Sequence, residues 1–134
     1  MAFIAAEERY RLGYPELDAQ HAGLFELVNR LHEGVVSGVG RPALGELMAR
    51  LRKETMLHFL QEESLMRRTG YPGLDAHKRL HDELARQVSE LEAKHRGGTL
   101  VMSQSVMNFL KDWLVHHILN EDRRLAEHLR ENGA

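Results

Sequence analysis

The sequence contains no cysteine in its 134 residues. That absence excludes disulfide frameworks, thiol catalysis, thiolate-held zinc, iron–sulfur clusters and covalently attached c-type haem. Proline is scarce, with only Pro15, Pro42 and Pro72, and there is a single tryptophan. Neither sign of charge dominates. Lys and Arg number 18 against 20 Asp and Glu, a net charge of −2, so no basic excess points to nucleic acid. No apolar run approaches the roughly 20 residues that a membrane span needs. Residues 1–6 run straight into Glu7 and Glu8, too short and too acidic for a signal peptide, so the expected location is the cytoplasm. The length suits one domain covering residues 1–134, and nothing in the pattern demands an oligomer, so a monomer is expected. What the chain does have is histidine, nine of them.

Between the prolines and glycines, apolar residues recur at intervals of three and four, the period of amphipathic helices. The first such segment is expected to open at Asp18, a good N-cap, and carries Leu24, Leu27, Val28, Leu31 and Val35. The second opens with Pro42 in its first turn and reads Leu44, Leu47, Met48, Leu51, Thr55, His58, Glu62 and Leu65. The third reads His77, His81, Leu84, Val88 and Leu91. The last reads Val106, Leu110, Trp113, Leu114 and His117, continuing to Leu125 and Leu129. No alternating strand pattern of useful length occurs. The expectation is an all-α, antiparallel up-down-up-down four-helix bundle, with helices over roughly 19–37, 42–69, 74–96 and 100–130. Residues 1–17 have no clear period and are expected to form an N-terminal arm across the bundle.

The helical period assigns several polar residues to the core. His21 lies on the stripe of Leu24 and Val28. His58 and Glu62 continue the stripe of Met48, Leu51 and Thr55. His77 and His81 lead into Leu84 and Val88, and His117 follows Leu110 and Trp113. A lone inward histidine is ordinarily a hydrogen-bonded core residue. Five inward histidines and a glutamate, with no Lys or Arg at core positions to balance them, would be costly to bury without a metal. His32, His95, His116 and His128 fall mostly off the stripes and read as surface residues. Glu92 and His95 form an isolated Glu-x-x-His match, which di-iron carboxylate bundles need on two helices, and is taken as chance. The donors exceed the four of a tetrahedral zinc site, so two metals are expected. Imidazole suits zinc, copper, iron and nickel, and a set without thiolate argues against copper(I). From this set iron is chosen.

The stretches Gly-Tyr-Pro-Glu-Leu-Asp-Ala-Gln-His ending at His21, His58-Phe-Leu-Gln-Glu-Glu, Gly70-Tyr-Pro, His77-Lys-Arg-Leu-His81 and Trp113-Leu-Val-His-His-Ile-Leu-Asn-Glu-Asp together resemble the hemerythrin family, in its single-domain bacterial form. The resemblance implies reversible O2 binding, for carriage, storage or delivery, at two iron ions joined by an oxo or hydroxo bridge. It implies His77, His81 and His117 on one iron and His21 and His58 on the other, with Glu62 and Asp122 shared. The iron held by two histidines then keeps the open position for O2. Trp113, Leu114 and Ile118 flank His117 and are the expected wall of the O2 pocket. Azide and nitric oxide are the other expected ligands.

Periodicity and resemblance agree on Glu62 over Glu63, because only a step of four returns to the His58 face. They also agree on His117 over His116. At Asp122 they conflict: a step of five from His117 turns about 140° on an ideal helix, so periodicity prefers Glu121 and the resemblance Asp122. A π-bulge or local bend would reconcile them. Ala6 stands where the family usually carries a tryptophan. Two other functions remain in view. A sensor of O2, redox state or nitric oxide would need a partner for output. A metal-dependent hydrolase would use His81-Asp82, but Asp82 points about 100° from the His81 face.

Overall fold

The computed structural model describes residues 3–5, 7–98 and 103–132. Helices α1 (Pro15–Ser37), α2 (Arg41–Thr69) and α3 (Leu74–Arg96) are followed by a fourth rod. That rod is α4 (Gln104–His117), a π-helical turn (Ile118–Asp122) and α5 (Arg123–Glu131), with right-handed helical dihedrals at both joints. The rods form an antiparallel four-helix bundle with no strand among the described residues, and α2 packs against both α1 and α3. No helix is long and apolar enough to cross a membrane.

Local chemistry sets the helix ends. Pro15 occupies the first turn of α1, where its fixed φ is already helical and its missing N–H costs nothing. The helix therefore starts at Pro15, and the expected arm of residues 1–17 is shorter than predicted. Asp18 is not the N-cap. Its carboxylate reaches back to accept from the Leu12 and Gly13 amides at 2.8 and 3.2 Å, securing the end of the arm. Gly70, at φ 65°, ends α2 in the left-handed region, and the Tyr71 amide closes onto the Met66 carbonyl at 2.9 Å. The short Tyr71–Pro72–Gly73 link leads at once into α3, so His77 lies one turn into its helix.

Each helix alternates apolar and polar stretches along its buried face. Leu17 precedes His21, and Leu24, Val28 and Leu31 follow it. Met48 and Leu51 precede His58 and Glu62, and Leu65 and Met66 follow them. Met107 and Leu110 precede His117 and Asp122, and Leu125 and Leu129 follow. Stacked in the bundle, these rows enclose a polar layer between two apolar ones. α3 contributes least to the oil: its buried residues are Val88 with His77, His81, Glu92 and His95. His95 is thus buried, at 3% exposure, and not at the surface as expected, because it lies seven residues after Val88 on the same face of α3. It lies beside Glu92, which is bound by Arg96 and Arg52, at the far end of α3 from His77.

The arm is tied to three helices. The Asn29 side chain on α1 accepts from the Ile4 amide at 2.6 Å and donates to the Ile4 carbonyl at 3.0 Å. Phe3 stacks on His32 at 4.1 Å and its carbonyl accepts from Lys111 on α4. Arg123 donates to the Arg9 carbonyl, and Arg130 on α5 to that of Leu12. Ala6, where the resemblance expects a tryptophan, lies outside the described residues, as do residues 99–102 at the expected start of the last helix. Asn29→Ala removes both partners of the buried Ile4 backbone. It should destabilise the protein by about 1–3 kcal/mol in urea unfolding and accelerate hydrogen exchange at the Ile4 amide. Unchanged exchange at Ile4 would show that the clamp does not hold the arm.

Candidate metal centre

Four elements deliver the polar layer. α1 carries His21, α2 carries His58 and Glu62 one turn apart, α3 carries His77 and His81 one turn apart, and the fourth rod carries His117 and Asp122. The last pair is where ideal periodicity fails. The π turn over Ile118–Asp122 closes with a five-residue step and so brings the fifth residue after His117 onto its face. Asp122 is fully buried, with Oδ1 at 3.1 Å from His117 Nε2. Glu121, the residue that a step of four prefers, sits on the other side of the ring, Oε2 at 3.7 Å from Nδ1. His116 is exposed beside Asn120.

The two carboxylates divide their oxygens. Glu62 turns Oε2 to His58 at 3.1 Å and His21 at 3.7 Å, and turns Oε1 to His81 at 2.9 Å and His77 at 3.3 Å. Asp122 turns Oδ2 to His21 at 2.9 Å and His58 at 3.9 Å, and Oδ1 to His77 and His117, both at 3.1 Å. The result is two groups, Glu62–His77–His81–His117–Asp122 and His21–His58–Glu62–Asp122, each with donor atoms within 4.8 Å of one another. The groups share both acids.

Every one of these facing atoms is buried, and none has a hydrogen-bond partner: the Nε2 of all five histidines and both oxygens of Glu62 and Asp122. Such a set is costly to bury without a charge to satisfy it. Neutral imidazoles with carboxylates suit iron, zinc or other borderline divalent ions, and two cations placed between the groups would use every orphaned atom. The donor set therefore fits a pair of metal ions.

In the protein without metal, protons take over part of that duty. Burial opposes the charged form of His58, but Glu62 and Asp122 overcome it and raise its pKa to about 10. The same opposition, with Asp122 and Glu62 again prevailing, lifts His77 to about 9. Burial pushes both Glu62 and Asp122 up, and the charge of Asp122 adds to the rise at Glu62, yet the surrounding histidines hold both well below the ordinary carboxylate range.

The outer side of the rings is also organised. His81 Nδ1 faces Glu63 Oε2 at 2.9 Å, and His58 Nδ1 faces Gln20 Oε1 at 2.5 Å. Phe59 stacks on His81 at 3.9 Å and meets His117 edge-on at 5.9 Å. Sequence reasoning weighed Glu63 only as a rival to Glu62 for the inner position and gave Gln20 and Phe59 no role. Their one signal was adjacency: each is the immediate neighbour of a metal-ligand candidate, on the next face of the helix.

Trp113, Leu114 and Ile118 are all buried. Trp113 joins Leu80, Leu84 and Phe109 along a groove of about 480 Å³ that reaches His117, which Leu114 and Ile118 do not line. Asp82 is exposed and paired with Lys78 at 3.0 Å, so the His81-Asp82 dipeptide does not form a shared hydrolytic site.

The family model described as the hemerythrin HHE cation binding domain matches residues 12–129. The chain belongs to the hemerythrin family. It is 34% identical to a bacteriohemerythrin of Methylococcus capsulatus, over 92% of each chain. A bacteriohemerythrin of Stenotrophomonas maltophilia is 32% identical over 97% of this chain and 84% of its own. A myohemerythrin of Riftia pachyptila is 29% identical over 87% of this chain and 85% of its own. The wild-type crystal structure of a hemerythrin superposes with a TM-score of 0.89 at 30% identity, covering 96% of this chain and 98% of that one. Oxygen binding at non-haem iron is the function of this family, whose members are oxygen-binding proteins and not enzymes.

The titration pattern sets the pH dependence of the metal-free hemerythrin. The raised histidines contribute stability that is complete below their unfolded pKa of about 6.5 and is lost as pH rises through about 9 to 10. The depressed carboxylates contribute stability present above about 4, lost as pH falls through their lowered values. Chelator-stripped protein should therefore melt highest near pH 5–6 and lose several degrees by pH 10, while the metal-loaded form keeps its midpoint on the alkaline side. A stripped protein with a flat profile from pH 6 to 10 would contradict the pairing.

Proposed function

We propose that this hemerythrin binds O2 reversibly at two iron ions, for carriage, storage or delivery. One iron is held by His77, His81 and His117 and the other by His21 and His58, with Glu62 and Asp122 shared. The observation that carries the reading is the split of each buried carboxylate, one oxygen toward each histidine group. The second group offers four residues against five in the first, which leaves the position beside His21 and His58 for O2. The iron pair supplies the redox-active position for O2. The five imidazoles with Glu62 and Asp122 would hold it, and the apolar residues around them would exclude water. In this reading Trp113, Leu114 and Ile118 form the wall. Azide and nitric oxide are expected to compete for the same position. The whole of residues 1–134 is read as one domain acting as a monomer, and the cysteine-free sequence suits the cytoplasm.

The direct test is optical. Reduced, iron-loaded protein should gain a visible absorption on exposure to O2, lose it under vacuum, and shift it on adding azide. An iron-loaded protein whose spectrum ignores O2 would overturn the reading.

The ligand set has its own test in iron content. Asp122→Ala and Glu62→Ala should each bind fewer than two irons per chain, whereas Glu121→Ala should keep two. Iron loss from Glu121→Ala alone would mean that the π turn presents the wrong acid.

The wall is tested by lifetime. Leu114→Ala should keep two irons yet oxidise irreversibly in air several-fold faster, because water admitted near the site supplies protons. A buried leucine truncation also costs about 2–5 kcal/mol in general. Leu31→Ala is the control: equally buried, ten residues beyond His21 and about 15 Å along α1. Equal decay of the two variants would reduce Leu114 to ordinary packing.

A further inference from the structure

The outer side of the histidine cluster is unequal in charge. At the three-histidine group, Glu63 Oε2 accepts from His81 Nδ1 at 2.9 Å, and Glu121 Oε2 stands 3.7 Å from His117 Nδ1. At the two-histidine group, His58 Nδ1 meets the neutral amide oxygen of Gln20, and His21 Nδ1 is buried without a hydrogen-bond partner. Among the described residues, two acids attend the outer side of one group and none that of the other.

His81 is the most constrained ring of the five. Glu62 faces its Nε2 at 2.9 Å, Glu63 its Nδ1 at 2.9 Å, and Phe59 lies parallel to its plane at 3.9 Å. All three come from one turn of α2. Consecutive helical residues point about 100° apart, so Glu62 enters the cluster while Glu63 passes outside it to reach α3. Glu63 is only 5% exposed, and a carboxylate is not buried so deeply without a partner that returns the lost hydration.

We propose that Glu63 is a positioning residue that makes the two metal positions unequal, fixing and strengthening His81 as a donor to the three-histidine position while Gln20 gives His58 only a neutral amide. A carboxylate that accepts the Nδ1 proton draws it away from the ring and leaves more electron density at Nε2. Such a ring binds its metal more tightly and favours the higher metal charge. An amide acceptor orients the ring without adding that charge. The three-histidine iron is thereby retained and held toward the ferric state, and the two-histidine iron is left the weaker-held partner. This rests on the ligand assignment proposed above.

The test uses full-length, iron-loaded wild type, Glu63→Gln and Gln20→Glu. Glu63→Gln keeps the shape and an acceptor oxygen and removes only the charge. It should still take up two irons at saturating iron, but one of the two should be lost to a chelator about 10–100-fold faster than in wild type, with the other unchanged. Its reduction midpoint should move positive, and that of Gln20→Glu should move negative. If Glu63→Gln does not fold, the Gln20→Glu midpoint decides alone. Release of both irons and a midpoint like those of wild type would overturn the proposal. So would a loss of thermal stability in Glu63→Gln with no shift of midpoint, which is what mere packing predicts. A wild type that takes up no iron would instead overturn the ligand assignment, and the proposal with it.

Discussion

Two carboxylates and five imidazoles buried at the centre of a four-helix bundle, with no buried Lys or Arg among the described residues to balance them, form the constraint on which the rest of the structure depends. Left to themselves these groups oppose folding, because each loses its hydration and few can hydrogen-bond to one another. The fold answers by placing them in one layer and sealing that layer on both sides with leucine and methionine. The helix lengths follow from this arrangement. α1, α2 and the fourth rod each run far enough past their polar residues to contribute Leu17, Met66 or Leu129 on one side and Leu31, Met48 or Met107 on the other. The arm completes the enclosure, with Ile4, Tyr10 and Leu12 buried on it and backbone bonds from Asn29, Lys111, Arg123 and Arg130.

Much of this layer could be read before any coordinates. His58 and Glu62, and His77 and His81, are spaced by four, and a straight helix needs nothing more to aim both at one point. The apolar rows that flank them repeat with the same period, so the helices and their inward faces were evident together. The start of α1 was misplaced because Asp18 has the chemistry of a cap and uses it on Leu12 and Gly13, while Pro15 begins the helix. Asp122 was reached by resemblance and not by period, since a π turn changes the backbone register without leaving a periodic trace in the side chains. His95 was read as exposed, yet it follows Val88 by seven residues and Leu91 by four, so the helical period itself turns it inward, and it is buried.

The outer shell of the site was the least legible part. Glu63, Gln20 and Phe59 each sit next to a proposed ligand in sequence and touch a proposed ligand from another helix, or in the case of Phe59 stack on one. No pattern within one helix reports which neighbouring helix a side chain will meet. Glu62 and Asp122 each face both histidine groups, and the charge on the outer shell around them is a property of this chain's own residues.

The central claim is that Glu62 and Asp122 join two iron ions into one coupled unit. Low-temperature Mössbauer spectroscopy of the oxidised protein, loaded with iron-57, tests it most directly. The account predicts quadrupole doublets without magnetic splitting in zero field, because two high-spin ferric ions bridged together couple to a diamagnetic ground state. A magnetically split spectrum of isolated ferric ions, with the accompanying strong electron paramagnetic resonance signal, would contradict it.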